Sequence, residues 1–515
     1  MKTIRLQNFR SLVDTTALPI RPISVLLGQN SSGKSTLVRS LPLLKQGLGV
    51  RAQGPFLWLG QLVDFGSFDE TVSCFATDTS ISIEFSLDLP IEATISNPGR
   101  SLPSGAKLDS ATVKITELRV SKTIEPCFQY DILLDSDKIS FQIQENKFIF
   151  FSINDVDYLR LVKARYDVKQ WISPIPTIGI ISGDDQLVPN SGPSFHNEIS
   201  TTLKSFSHGK TASERLLELR RVLIVSPLSQ LLSTMRRTSY GDTQWKKYVN
   251  GWDEKNKYFV RLRELIIGAR LNFILSALSE YFSAFLYNTR YIKPLRASAE
   301  RYYRKQGLAV DELDPEGDNF ALFLHNMSNA EKNSFKDWSE KYFGIWIDVK
   351  ESAGHLSLVL NSKSDPTQNF NMADAGFGYS QMFPILAQLW AIRRPSRVRS
   401  TVRRLIVPFV FSIEQPELHL HPRLQARLAD IFVSSIAGAK EIGIDLRLII
   451  ETHSEYFVNR LGYLISNGDL SNEDVAITVF EKANSSEATT IRESYFSEKG
   501  FLQNWPFGFF EPNPD

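Results

Sequence analysis

The segment Gly28-Gln29-Asn30-Ser31-Ser32-Gly33-Lys34-Ser35 constrains this chain more than any other, because it fits G-x-x-x-x-G-K-[S/T] between an apolar run and a helical pattern. Ile23 to Leu27 reads as a short buried strand. From Lys34 to Leu44 the residues Leu37, Leu41 and Leu44 recur at helical spacing. A strand, a glycine-rich turn and a helix in that order turn backbone N–H groups and a helix N-terminus toward an anion. Asn30, Ser31, Ser32, Gly33 and Thr36 are therefore expected to cradle phosphates, Lys34 to put its charge on the β and γ phosphates, and Ser35 to ligate Mg²⁺. The expected cofactors are ATP and Mg²⁺.

The remaining sequence supplies a sheet for such a loop. Ile81, Ile83, Phe85, Leu87 and Leu89 alternate with polar neighbours, so residues 80–153 read as β-rich. Residues 160–286 change to helical spacing, most clearly over 214–232 and 259–286. From Arg290 onward, apolar runs at 405–411, 447–450 and 475–480 alternate with helical segments. The expected fold class is α/β: a P-loop head with a β-rich N-terminal lobe (1–160), a helical insertion (161–286), a C-terminal lobe (287–470) and a tail (471–515). No internal repeat or long heptad run is evident.

With 515 residues, 42% of them hydrophobic, the chain can bury a sizeable core. Lys and Arg (58) nearly balance Asp and Glu (57), so no overall field draws the molecule onto nucleic acid or lipid. Cys74 and Cys127 are too few for a disulfide framework or a Cys-rich zinc site. The amino terminus lacks a secretory layout, and the apolar stretch from Leu271 to Tyr287 is interrupted by Asn272, Ser276, Ser279, Glu280 and Ser283. A core helix, a cytoplasmic location and no membrane partner are expected.

Far downstream, an apolar strand over 407–413 ends in Glu414-Gln415-Pro416-Glu417-Leu-His419-Leu-His421-Pro422, and a second strand ends in Glu451-Thr452-His453-Ser454. Glu414, a carboxylate at a strand end, suits Mg²⁺, the second strand delivers His453 to its C-terminal edge, and open α/β sheets bind ligands at that edge. The segment Ala373-Asp-Ala-Gly376-Phe-Gly378-Tyr-Ser380-Gln381 adds glycines for close backbone approach and a helix start offering donors. On its own it would read equally well as a glycine-containing helix cap.

Together these motifs, in this order, resemble the ABC-type ATPases of the overcoming-lysogenization-defect group, relatives of the SMC and recombination-repair ATPases. The resemblance implies that Glu414 is the Mg²⁺-side acid, that residues 417–422 form the D-loop, and that His453 is the switch histidine. It implies that Gly376, Gly378, Ser380 and Gln381 belong to a signature capping ATP held by a second copy, so that a homodimer or higher oligomer of dimers is expected. Gln61, ahead of Phe65-Gly-Ser-Phe-Asp-Glu70, falls where a metal-contacting Q-loop would lie; a turn at a strand start explains the same residues. Tyr291-Ile-Lys-Pro-Leu-Arg296, Glu300-Arg-Tyr-Tyr303 and the terminal Trp505-Pro-Phe-Gly-Phe-Phe510 are similar to Septu-type antiphage defence ATPases. That resemblance implies a sensor or scaffold in antiviral defence that controls a separately encoded effector, a nuclease. The alternative is a DNA-repair or DNA-processing ATPase stimulated by nucleic acid.

One departure matters. Hydrolytic relatives carry Glu after the Mg²⁺-side acid, and here Gln415 stands there. An amide orients water but is no general base, so slow hydrolysis is expected, with Glu417 and His453 as partial substitutes. His419 and His421 lack a third close ligand, so no zinc is expected. The 62 residues after His453 contain no D-x-D pair, so no intrinsic nuclease is expected. Six arginines between Arg393 and Arg404 offer either a nucleic-acid or partner clamp or a solvated loop.

Overall fold

The computed structural model describes residues 1–50, 52–88, 110–119, 125–163, 166–180, 194–208, 219, 223–238, 242–310, 312–363, 369–392, 407–482, 484 and 487–506. The arginine cluster 393–404, residues 507–510, the loop 97–105 and nearly all of 209–222 lie outside the described residues.

Every position of the strand Ile23–Gly28 is buried, because the strand lies in the middle of a mainly parallel sheet. Leu446–Glu451 pairs with it in parallel on one side and Val475–Glu481 on the other. Phe409–Glu414 and Thr289–Ile292 continue the parallel order beyond Leu446–Glu451. Thr490–Phe496 and Leu502–Gln503 finish the opposite edge in antiparallel pairing. The sheet therefore runs through the expected boundary at 470/471: Val475–Glu481 is an immediate neighbour of the P-loop strand.

A parallel sheet must be covered on both faces, and side chains alternate to serve both. Leu26 points into a core shared with Leu37, Leu41 and Leu44 of the helix Lys34–Lys45. Ile23, Val25 and Leu27 point into a second core, built with the helices Phe377–Ala391, Pro422–Glu441 and Glu455–Ser466.

The β-rich lobe is an antiparallel sheet with Thr3–Phe9 beside Ser80–Asp88, followed by Ser110–Leu118, Cys127–Leu134, Asp137–Gln144 and Lys147–Ile153. Its inner face and the helices Lys257–Ala269 and Leu271–Tyr287 contribute to one core, so lobe and insertion pack as a unit. Buried Arg263 joins them further, with Nε 2.8 Å from Asp137 Oδ2. Within the helical stretch 259–286 two helices meet at 58°, because Arg270 leaves the helical conformation between them, and the second of them, Leu271–Tyr287, is the core helix expected from the sequence. A hairpin, Tyr166–Gln170 with Thr177–Ile180, also occupies the segment expected to be helical. Among the described residues no single helix is long and apolar enough to cross a membrane; only the bent pair passes together, and most of it is buried here.

Candidate functional site

Parallel register aligns Glu414 with Glu451 and Glu451 with Leu26, so both carboxylates and the loop after Gly28 emerge at the C-terminal edge of the sheet. Gly28 has a φ of 148°, and a Cβ there would stand 2.3 Å from the Phe480 carbonyl oxygen of the next strand. Only glycine lets the chain turn this close to its neighbour. Gln29, Asn30 and Ser31 are exposed, while Ser32 and Thr36 are buried. Ser32 Oγ donates to the Gln29 carbonyl at 2.8 Å and fixes the turn. Gly33, in the left-handed region, opens the helix.

Lys34 is 3% exposed, and its ammonium donates to the Gly28 carbonyl (2.9 Å) and the Gln29 carbonyl (2.7 Å). Burial lowers its pKa, opposed by the charges of Glu451 and Glu417. Ser35 Oγ donates to Glu451 Oε2 at 2.7 Å, and Lys34 Nζ lies 4.0 Å from Glu451 Oε1. Glu451 has no role assigned from the sequence, and the signal for it is its place at a strand end immediately before Thr452 and His453. Burial, with the neighbouring charge of Glu414, pushes its carboxyl up to about 7.

Glu414, expected beside Ser35, is engaged elsewhere. Its Oε1 accepts from Arg39 Nε (2.6 Å) and the Tyr291 hydroxyl (2.7 Å), and its Oε2 from Arg39 Nη2 (2.7 Å). Arg39 follows Ser35 by one helical turn, which points it at the same sheet edge. The hydrogen bonds to Glu414 raise its pKa.

Beyond Glu414 the chain reverses through two non-glycine residues in the left-handed region, Gln415 (φ 43°) and His419 (φ 61°). Such conformations persist only where surrounding contacts impose them. Gln415 N–H donates to the Glu451 carbonyl at 2.8 Å, joining the two acid-bearing strand ends. Glu417 is buried: Oε1 accepts the His453 N–H at 2.6 Å, and Oε2 has no hydrogen-bond partner among the described residues. Burial raises its pKa. His421 caps the helix Pro422–Glu441 by accepting the Arg423 N–H at 3.3 Å, which accounts for the His-x-His-Pro spacing. His453 is exposed at the edge, and Ser454 after it caps the helix Glu455–Ser466.

The glycine-containing segment divides in two. Ala373, Asp374, Gly376 and Phe377 are exposed at the start of the helix Phe377–Ala391. Ser380 and Gln381, expected to meet phosphate, turn inward with the helix. Ser380 Oγ donates to the Phe377 carbonyl at 2.7 Å. Gln381 is wholly buried and spends its amide on the backbone of Arg296, accepting N–H at 3.1 Å and donating to the carbonyl at 2.9 Å. Gln381 thus holds the backbone of Arg296, and the exposed part of the segment is Phe377, Gly376, Asp374 and Ala373.

Arg296, 4% exposed, donates to the Gln381 carbonyl (3.1 Å) and the Gln415 carbonyl (2.9 Å), so one guanidinium ties the glycine-containing helix to the acid loop. Burial lowers its pKa to about 10, opposed by Glu417 and Glu414. The stretch holding Tyr291 and Arg296 stands out in the sequence, but only the fold gives the two side chains their partners. Gln61 is exposed on a turn closed by the Leu59–Asp64 bridge and makes none of the contacts around Ser35. Gln46 organises that turn, donating to the Leu57 carbonyl at 2.5 Å and accepting the Val63 N–H at 3.0 Å.

A family model described as an AAA ATPase domain, AAA_15, matches residues 1–458, a span containing the P-loop, Glu414, Glu417, Glu451 and His453. The chain belongs to this AAA ATPase domain family. No curated protein matches it. Among solved structures it is similar to the SMC head domain from Thermotoga maritima, at 8% identity and a TM-score of 0.34, over 96% of this chain and 98% of that one. It is also similar to the Smc head domain with a coiled coil and joint derived from Pyrococcus yayanosii, at 12% identity and a TM-score of 0.34, over 97% and 98%. Within this AAA family chain, the P-loop, Glu414, Glu417, Glu451 and His453 are the groups that one sheet edge collects.

Proposed function

We propose that this AAA-family chain binds ATP with Mg²⁺ at the Gly28–Ser35 loop, hydrolyses it slowly, and uses the bound nucleotide to hold two copies head to tail. The observation that carries the reading is the convergence of Lys34, Ser35, Glu451, Glu417 and His453 at the C-terminal edge around the central P-loop strand. Lys34 is held by two loop carbonyls that a phosphate can replace as partner, and the helix start behind it offers N–H donors. The donor set fits a small hard dication, since Ser35 and the buried carboxylates present only oxygen. When bound, Mg²⁺ neutralises charge on the β and γ oxygens.

Slow turnover follows from Gln415. Its amide can orient a water but cannot take a proton, and Glu417 Oε2, buried and without a hydrogen-bond partner among the described residues, is a carboxylate oxygen able to do so. The exposed face formed by Gly376, Phe377 and His419 supports the head-to-tail reading, because it presents a helix N-terminus at the surface. The proposal that the ATP-bound pair restrains or releases a separately encoded nuclease in antiviral defence draws on the sequence resemblance.

Sedimentation of the full chain with and without ATP and Mg²⁺ tests the first part. The wild type should double in mass on addition of nucleotide, and Lys34→Met should not. A wild-type mass unchanged by ATP would sink the head-to-tail reading. For the defence part, bacteria carrying this gene and its neighbouring reading frame should plate phage poorly, and Lys34→Met should restore plaques; equal plating refutes it.

A further inference from the structure

The helical insertion carries a face that the nucleotide site does not use. Tyr248, on the helix Thr243–Asn250, and Tyr258, at the start of Lys257–Ala269, are 44% and 43% exposed. Both rings stand edgewise on Phe206, at centroid distances of 5.4 Å and 4.9 Å, and Tyr258 stacks toward Trp252 at 6.5 Å. Phe206 and Trp252 are themselves buried and meet at 5.0 Å. Two half-exposed tyrosines thus rest on a fixed aromatic base, which orders their rings before anything binds.

Cations crowd the same place. Lys246 and Lys247 come just before Tyr248, Lys255 and Lys257 just before Tyr258, and all four are exposed. Arg236 is held there by donating to the Trp252 carbonyl at 2.5 Å. None of these cations is paired with a carboxylate among the described residues. Elsewhere surface lysines are neutralised, as Lys293 is by Glu316 and Lys305 by Glu351, both at 2.6 Å. Of the acids in this stretch, Asp242 is buried as the cap of its helix, and Asp253 accepts the Lys255 N–H at 3.1 Å, so Asp253 and Glu254 leave an excess of positive charge.

We infer that this face binds single-stranded nucleic acid, with unpaired bases stacked on Tyr248 and Tyr258 and the phosphates running past Lys246, Lys247, Lys255 and Arg236. The inference is independent of the ATP reading, because these residues belong to the insertion and not to the P-loop edge of the sheet.

The chemistry decides between polyanions. Phosphate oxygens complement unpaired cations whatever the base sequence. A duplex keeps its bases in its own stack and leaves the two rings unused, whereas an unpaired base can cover each ring. An acidic protein segment would answer the lysines but brings no flat π face to the tyrosines. Lys257 Nζ is 5.0 Å from the Tyr258 centroid, a position that a base can take over while the ammonium moves to phosphate.

The test uses the full chain without nucleotide and a fluorescein-labelled oligo(dT) of about 15 nucleotides, read by anisotropy beside a duplex of the same length and a polyglutamate peptide. The wild type should bind oligo(dT) about tenfold or more tighter than either competitor. Tyr248→Leu combined with Tyr258→Leu should weaken oligo(dT) binding about tenfold or more, while Tyr248→Phe with Tyr258→Phe should keep wild-type affinity, because stacking needs the ring and not the hydroxyl. Lys246→Ala with Lys247→Ala should weaken binding and reduce the slope of log affinity against log salt by about 0.7 for each lysine. Thermal melts check folding, and should the leucine pair unfold, the lysine pair decides. The inference is overturned if oligo(dT) does not bind, if the duplex or polyglutamate binds as tightly, or if either folded variant, the leucine pair or the lysine pair, binds oligo(dT) like the wild type.

Discussion

Phe377 and His419 pack edge to face, with ring centroids 4.7 Å apart and planes at 83°. The start of the glycine-containing helix and the loop after Glu414 therefore form one continuous surface within a single chain. Gly378 sits beneath it, and a Cβ there would lie 2.9 Å from the His419 carbonyl oxygen. Gly378→Ala should push the two segments apart and weaken ATP-dependent self-association by about tenfold, equivalent to ~1.4 kcal/mol. Sedimentation equilibrium with ATP and Mg²⁺ reads this directly, and unchanged association would separate this surface from the contact between copies.

Gln415 is the simplest place to ask what limits turnover. Its side chain follows a strand end already fixed by the backbone bond to Glu451, so a carboxylate can be introduced without moving the loop. Gln415→Glu should raise ATP turnover by roughly 10²-fold, as expected for adding a general base. Phosphate release assays measure it. If the rate does not change, Glu417 already supplies the proton acceptor, and Glu417→Gln should then abolish the residual rate.

Arg263 and Asp137 form a buried ion pair joining the helical segment to the β-rich lobe, with 3% and 4% side-chain exposure. Removing one partner leaves an uncompensated buried charge. Arg263→Met should cost about 3–5 kcal/mol in chemical denaturation. The double change with Asp137→Leu should recover most of that loss, because no charge is then stranded.

Lys45 offers a pH-dependent signature. It donates to the Thr289 carbonyl and to Glu312 Oε1, both at 2.6 Å, yet burial lowers its pKa from 10.5 to about 8. The unfolded chain thus binds more protons than the folded one between pH 8 and 10.5, and over that window this group's contribution to stability rises with pH. Lys45→Met removes that contribution, so the difference in unfolding free energy between wild type and variant should change across those values. A constant difference would refute the depressed pKa.

What the sequence alone determined is local. Gly28 to Ser35 specified a phosphate loop because strand, glycine turn and helix are contiguous, and the alternation in residues 80–153 specified strands because the period of a strand is two. The ends of the strands carrying Glu414 and His453 were likewise readable from apolar runs that stop at charged residues. Only the tertiary structure decided which acid meets which partner. Glu451, separated from Ser35 by 416 positions in sequence, reaches it because parallel pairing puts its strand beside the one that leads into the helix of Ser35. Arg39 captures Glu414, and Arg296 captures Gln381, through packing between elements whose spacing in sequence bears no relation to their distance in space. Helix periodicity names a buried face without naming its neighbours, which is why Ser380 and Gln381 read as ligands in the sequence and stand as internal supports in the fold.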